Sequence, residues 1–515
     1  MTNKRQVATY ELSSFLSSEF MRKLHTVPTT EDFIETNIMS EVLPISWTSH
    51  QNAVISANVI GTDDVIGASN SDLGPVKINY NPSHEMDYLF NVHLATQTPY
   101  VAVDPKFRGR VRICWPRNLF HQLIISAMVT FGTSNGPTIP QGWLDHQMGW
   151  FMKQGVGQEG NYNRMIGNVR CLVEWSDILT SHPIRCPQPW WFSEAYKKAI
   201  PLFKCKDRMS FIYNFNLRVV DLLRVELFSE ENQRWEAVST PSDKTKFLSN
   251  VTENTRFSNP TMRGRYGVLH SPERSWKRNI DQSVLATSIT RKVASNTVRA
   301  GTNTTIDLNL PTPIYAMFFR ARHVEASRIG DFSNYTTNPH DRFAGDDPIE
   351  SVTHIYNTDE IEVQDLSDLS AVQGWYNASS CPREPGYGMY AKSGRPCQNL
   401  PDTGMLYNKD LAGSIRFRLA SSRLRSSDDH DDAEKIFKQY TQSREASSSG
   451  SDFDSYEVAL YLQTAYLITY HKNGHVEIND GHLSERNWSL PVRLNDTNND
   501  HNDYARPVAS TSSLN

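Results

Sequence analysis

No stretch of the chain approaches the ~18–20 consecutive apolar residues that a membrane-spanning helix needs. The opening residues, Met1 to Tyr10, lack the apolar core and small-residue cleavage site of a secretory leader. Cysteine is scarce, with six spread along the chain at 114, 171, 186, 205, 381 and 397 and no C-x-x-C pair. That spacing argues against a zinc or redox site, and without a leader, reduced thiols in a cytosolic setting are expected. In such a setting the sequons at Asn250, Asn303, Asn334, Asn377, Asn487 and Asn495 read as chance occurrences. No concentrated basic stripe exists and the net charge is −5, which argues against bulk nucleic-acid packaging and sequence-specific binding. The arginine-rich pieces 108–117 and 416–425 are interleaved with apolar residues, the pattern of a strand with one charged face. No G-x-S-x-G, H-E-x-x-H or phosphate-cradling glycine loop occurs, and no short-period repeat supports a solenoid or propeller.

What is present describes a folded, soluble protein. The 515 residues are 38% hydrophobic and 21% charged, enough for two to four domains. Residues 9–24 carry the clearest helical stripe near the start, through Leu12, Phe15, Leu16, Phe20 and Leu24. It suits either a helix capping a β-domain or an arm that docks on a partner. From Leu43 onward, short alternating or apolar runs are broken by Gly, Pro, Asn and Asp, the texture of an all-β sandwich or barrel. The run 211–219 alternates most cleanly, and 76–80, 88–94, 123–131, 314–320, 414–419 and 458–470 are further strands. The last is long enough for two strands or one bent one.

These patterns divide the chain into an N-terminal arm (1–45), a first β-domain (46–228), a polar connection (229–268), a second β-domain (269–488) and a disordered tail (489–515). Within the second β-domain, residues 421–454 hold the acidic cluster Asp428-Asp429-His430-Asp431-Asp432 and a serine run, and are expected to form an exposed insertion.

Candidates for chemistry are thin. His471 and His475 lie four apart with Glu477 nearby, but they flank Asn473-Gly474, which favours a hairpin turn over a metal site. The 428–432 cluster lacks the alternation of a calcium loop and reads as a solvated loop tip. Trp190-Trp191-Phe192 suits a sugar-stacking platform or, more in keeping with consecutive large aromatics, a core or interface anchor. No catalytic, cofactor-binding or metal-binding residue is assigned, no cofactor is expected, and the chain reads as a non-enzyme.

Taken in order, the strand-rich blocks resemble the major capsid proteins of nucleocytoplasmic large DNA viruses. The blocks are Val76–Asn79 with Asp87–Leu94, Trp115–Ile124, Ala127–Gly132, Ile139–Leu144, and Pro189–Phe192 leading through Ala199–Leu202 into 211–219. In the second half they are Pro313–Phe319, Phe332–Tyr335, Asp347–Ile349 with Val352–Asn357, Pro401–Asn408, and Tyr456–Tyr470 followed by Asn473-Gly474. The resemblance departs from the family before residue 70, where its N-terminal strand block is hard to place, and at the Pro401 block, which carries extra residues.

The resemblance implies an all-β fold of two consecutive jelly-roll sandwiches with long loops and a short N-terminal helical arm. It further implies a virion shell built of homotrimeric, pseudo-hexagonal capsomers of an icosahedral double-stranded DNA virus, assembled inside the host cell in the cytoplasm. Partners would be other copies of the chain, minor capsid and penton proteins, and an internal membrane. The alternatives are a carbohydrate-binding β-sandwich protein, suited by 11 Trp and 21 Tyr, and a jelly-roll scaffold for virus assembly. The missing leader and the lack of a carboxylate pair weigh against the carbohydrate reading.

Overall fold

The computed structural model describes residues 57–58, 76–80 and 87–479, leaving aside 268–274, 392–404, 408–412, 421–454 and breaks of one to four residues. The expectations for the arm at 9–24, the insertion 421–454 and the tail from 489 lie outside the described residues.

The strands of the first half are β1 (Val76–Tyr80), β2 (Tyr88–Gln97), β3 (Ile124–Phe131), β4 (Ser134–Pro140), β5 (Pro183–Pro187), β6 (Met209–Phe215) and β7 (Thr261–Gly267). Those of the second are β8 (Gln282–Val293), β9 (Asn303–Asp307), β10 (Ala316–His323), β11 (Ile349–Tyr356), β12 (Asp359–Asp365), β13 (Gly388–Ala391), β14 (Gly413–Leu419) and β15 (Ser455–Tyr470). In the first half one sheet runs β1–β6–β3–β4, and the other has β2 at its centre, paired with β5 and β7. In the second half one sheet runs β8–β15–β10–β13 and the other β9–β14–β11–β12, all antiparallel. Strands distant in sequence lie side by side, as when Val76 to Tyr80 pair with Tyr213 to Met209.

Alternation explains why the strands hold these faces. Along β6, Phe211, Tyr213 and Phe215 point into the core while Ile212 and Asn214 are only half-buried. The register with β3 shifts at Asn214/Phe215, so the strand stops at Phe215, short of the 219 expected, and Val219–Leu222 turns as a short helix. Residues 458–470 lie within one unbroken sixteen-residue strand. The aromatic run lies at a helical turn, Trp191–Glu194, with Trp190, Trp191 and Phe192 all buried. They serve as a core anchor, and no ring face is left for a sugar. The stretch read as a connection contributes β7, which pairs with β2 along most of its length.

The middle strands of the sheet β8–β15–β10–β13, β10 and the first half of β15, are buried on both faces and read as nearly continuous apolar runs. From β10, Met317, Phe319 and Ala321 enter the second sandwich's own core, joined by Val458, Leu460 and Leu462 of β15. The alternate residues Ala316, Phe318, Ala459 and Tyr461 face the other way and merge with the core of the first half. The two sandwiches are thus welded along a seam, closed on the first side by β4, α1 (Leu119–Leu123) and α2 (Trp143–Phe151). Thr138 on β4 reinforces it, its backbone N–H donating to Ser288 Oγ at 3.1 Å and its hydroxyl to the Ile289 carbonyl at 2.8 Å.

Candidate functional site

The seam encloses one carboxylate, Asp145, near the start of α2, with no exposed surface. An ion removed from water is tolerated only where its lone pairs are filled. Here Asn118 Nδ2 donates to Oδ1 at 3.1 Å and His121 Nδ1 lies 2.6 Å from the same oxygen. Oδ2 accepts from Tyr335 at 2.5 Å, Ser333 at 3.1 Å and, more loosely, Gln122 at 3.4 Å. The Arg320 guanidinium completes the site, 3.9 Å from Oδ2, donating to the Tyr335 hydroxyl and lying 4.3 Å over the Tyr335 ring and 5.3 Å over that of Tyr461. Asn118, His121 and Gln122 belong to the first sandwich; Arg320, Ser333 and Tyr335 belong to the second. The carboxylate is the knot between them.

Local backbone serves this geometry. Asn118 caps α1 in the left-handed region (φ 51°), a conformation asparagine tolerates better than most residues, and so aims its amide at Asp145. Gly142 sits at φ +78°, and a Cβ there would collide with the Arg320 guanidinium and the Tyr461 hydroxyl. Its carbonyl accepts from Arg320 at 3.4 Å, and the Tyr461 hydroxyl donates to the neighbouring Gln141 carbonyl at 2.9 Å.

Electrostatics follow from these contacts. Burial alone would raise the Asp145 carboxyl. The hydrogen bond and charge of His121, the Arg320 charge and the Tyr335 hydroxyl outweigh it and hold the group well below the usual carboxylate range. The ionised carboxylate only accepts, so His121 Nδ1 is the donor to it, and His121 Nε2 lies 2.9 Å from the Tyr162 hydroxyl. His146, also fully buried, has neither ring nitrogen hydrogen-bonded and packs among Trp143, Phe318, Tyr387 and Tyr461. Burial, then the Arg320 charge, push its pKa well below 6.5, against the pull of Asp145, so the ring stays neutral. Nothing here is a nucleophile set beside a base over an open cleft; the arrangement fastens two domains.

Outside this knot, Arg117 holds Glu384 through both carboxylate oxygens at 2.7 and 2.9 Å, and Ser380 Oγ donates to the Gly149 carbonyl at 2.7 Å. At the far end of the seam, Asn473-Gly474 forms the expected turn, with Gly474 at φ 90° and its N–H bonded to the His471 carbonyl. His471 is taken up by Asp281 (3.3 Å) and Glu477 (3.1 Å), and the His475 ring stacks on it. Among the described residues no group of three or more His, Cys, Asp or Glu is arranged to hold a metal ion. Of the sequons, Asn334 is buried with its amide nitrogen on the Asn338 and Pro339 carbonyls, and Asn250 bonds Tyr100 and Ala102.

No family model matches the chain. Among curated proteins it is similar to the major capsid proteins of Wiseana iridescent virus (24% identical over 329 residues, 60% of this chain and 65% of the relative) and Lymphocystis disease virus 1 (24% over 345 residues, 62% and 70%). The chain therefore spans slightly less than two thirds of the first of these relatives. Among solved structures it is similar to the PBCV-1 virus capsid, at a TM-score of 0.55 and 10% identity, covering 79% of this chain and 92% of that one. It is also similar to the Faustovirus major capsid protein, at a TM-score of 0.53 and 7% identity, covering 76% and 87%. The chain is thus similar to these major capsid proteins, and its fold is a double jelly roll.

Seen as two jelly rolls, the seam gathers the sequence blocks that carried the resemblance. Asn118, His121 and Gln122 come from the Trp115 block, Gly142 and Trp143 from the Ile139 block, Phe318 from the Pro313 block, Ser333 and Tyr335 from the Phe332 block, and Tyr461 from the last. Sequence reasoning assigned no role to Asp145, His146 or Arg320. The available signals were Arg320, a charge closing the apolar run Ala316 to Phe319, and two titratable residues directly after Trp143-Leu144.

Proposed function

We propose that this protein is a major capsid protein, forming trimeric, pseudo-hexagonal capsomers that tile the icosahedral shell of a double-stranded DNA virus. The observation that supports this most is the pair of jelly rolls joined face to edge by a buried polar knot, in a chain alignable with curated major capsid proteins. Two rolls fixed rigidly side by side give three copies a six-fold outline, and a hinge at the seam would destroy that outline. Such a role needs no catalysis, and the chain is read as a structural protein. Minor capsid and penton proteins and an internal membrane are the further partners of this reading. The arm at 9–24 would face the inner side, the 421–454 insertion the outer, and assembly would take place in the host cytoplasm.

The test is expression of the full chain followed by sedimentation and electron microscopy. Stable trimers with a hexagonal outline are expected; a monomer that binds glycans would overturn the proposal. Presence of the chain in purified virions separates a shell component from an assembly scaffold of the same fold.

A further inference from the structure

The lateral edge of the second roll carries an exposed aromatic patch that the seam and core do not use. β12 is the outermost strand of its sheet, and the segment that follows, a helical turn Asp368–Val372 continuing as Gln373–Asn377, closes the open side of the sandwich. Leu369 plugs the core from this segment, and Gln373 ties the two sheets, donating to Gln364 on β12 and accepting from the Ala391 backbone on β13, both at 3.1 Å. The outer face is apolar. Trp375 is 80% exposed, Tyr376 77%, Val363 60% and Val372 49%. Large aromatics held on an ordered element in this state are what protein interfaces are made of.

Charge narrows the partner. Residues 345–382 contain eight Asp and Glu and no Lys or Arg. Some are satisfied within the chain, Glu360 by Arg416 and Glu350 by Arg418, but Asp365 and Asp368 are exposed at the rim of the patch. The converse surface exists on the first roll. Residues 105–117 contain five Lys and Arg and no acid. Their tip, the turn Pro105–Phe107 followed by Gly109 at φ 79°, is an exposed knuckle bearing Lys106, Arg108 and Arg110, of which Arg110 is paired with Glu230. A patch with an acidic rim and a basic knuckle on the same chain are complementary between two copies. Because the two surfaces differ, the contact is head-to-tail, and it closes as a ring when the rotation allows.

We propose that the edge Val363, Val372, Trp375 and Tyr376, with Asp365 and Asp368 at its rim, docks on the Lys106–Arg108 knuckle of a second copy of this chain. The proposal rests on the coat-protein reading and names the contact between subunits within the capsomer. Burial of the aromatics supplies the affinity, and the rim charges fix orientation.

The experiment uses the full chain in sedimentation velocity across a concentration series, with four variants at exposed positions. These are Trp375→Ser/Tyr376→Ser, Asp365→Lys/Asp368→Lys, Lys106→Glu/Arg108→Glu, and the two charge reversals combined. Each of the first three is expected to raise the concentration at which the oligomer dissociates at least tenfold with an unchanged melting profile of the monomer. The combined reversal is expected to restore assembly toward that of the unaltered chain. Oligomers indifferent to the substitutions, or charge reversals that fail to rescue one another, overturn this contact while leaving the coat reading intact. An unaltered chain that never oligomerises overturns the coat reading itself.

Discussion

The two ends of the seam join the same two jelly rolls by opposite means. At the Asp145 end the ions are dry, and the carboxylate is filled from both rolls, Oδ1 by Asn118 and His121 of the first and Oδ2 chiefly by Tyr335 and Ser333 of the second. At the other, about 30 Å away along β15 at ~3.3 Å per residue, the turn at His471 is wet and its partners Asp281 and Glu477 are exposed. There the Lys206 N–H bonds the Gly474 carbonyl at 3.0 Å, and Lys204 Nζ donates to the Ile280 carbonyl, across the two rolls. Ionic contacts gain strength as water is excluded, but so does the penalty for leaving one unpaired. The dry end is therefore suited to fixing the angle between the rolls, and the wet end to tolerating change.

The comparison breaks most sharply at Asp145. Asp145→Ala leaves the Arg320 charge buried without its carboxylate, together with the freed donors of Asn118, His121 and Tyr335. A loss of about 3–5 kcal/mol is expected, read as a lower midpoint in urea unfolding. Adding Arg320→Met should recover part of it, because the orphaned charge leaves with the substitution. If Asp145→Ala unfolds at the same urea concentration as the unaltered chain, the knot holds nothing together.

A smaller effect separates the ends by pH. The folded pKa of His146 is depressed by burial and by Arg320, with Asp145 opposing, while the unfolded ring titrates near 6.5. Below that pH the unfolded state binds a proton that the folded state refuses, so stability falls on acidification. The groups facing the ring are Asp145 on its own helix, Arg320 on β10, Tyr461 on β15 and Tyr387 before β13, and of these only Asp145 favours the cation. Asp145 responds with the same sign, but its loss begins only as pH falls toward its ordinary 3.8, so His146 acts first as acid is added. His146→Phe should fit the aromatic cage and flatten the decline in melting temperature between pH 7 and pH 5. An identical decline in both proteins would remove His146 from the account.

Much of the fold was legible because alternation reports burial one strand at a time, as at Phe211, Tyr213 and Phe215. The seam was legible only as scattered blocks. Asn118, Gly142 and Tyr335 stand out in sequence as an asparagine before a helix, a glycine at a turn and a tyrosine in a loop. That they converge on one carboxylate is a property of the packed pair of rolls, which no local pattern encodes. Where a strand is buried on both faces, as β10 is, its period-2 signal vanishes, and with it the cue to which face Arg320 occupies.

The least effect, with the opposite sign, is expected at the wet end. The hydrogen bond that His471 makes to Glu477 raises its pKa against burial, and the bond to Asp281 and the charges of both carboxylates add to the rise. A raised folded value means that the His471 contribution is complete below the ring's ordinary 6.5 and is lost as pH rises through the folded value. The ring is about a quarter exposed and its carboxylate partners half or more, so the pair contributes no more than about 1 kcal/mol and weakens with salt. His471→Gln should therefore melt slightly below the unaltered chain at pH 6 in low salt, and the two should converge at pH 9 or in 1 M salt. A gap that widens toward alkaline pH would mean that His471 acts through packing on His475 rather than through its charge.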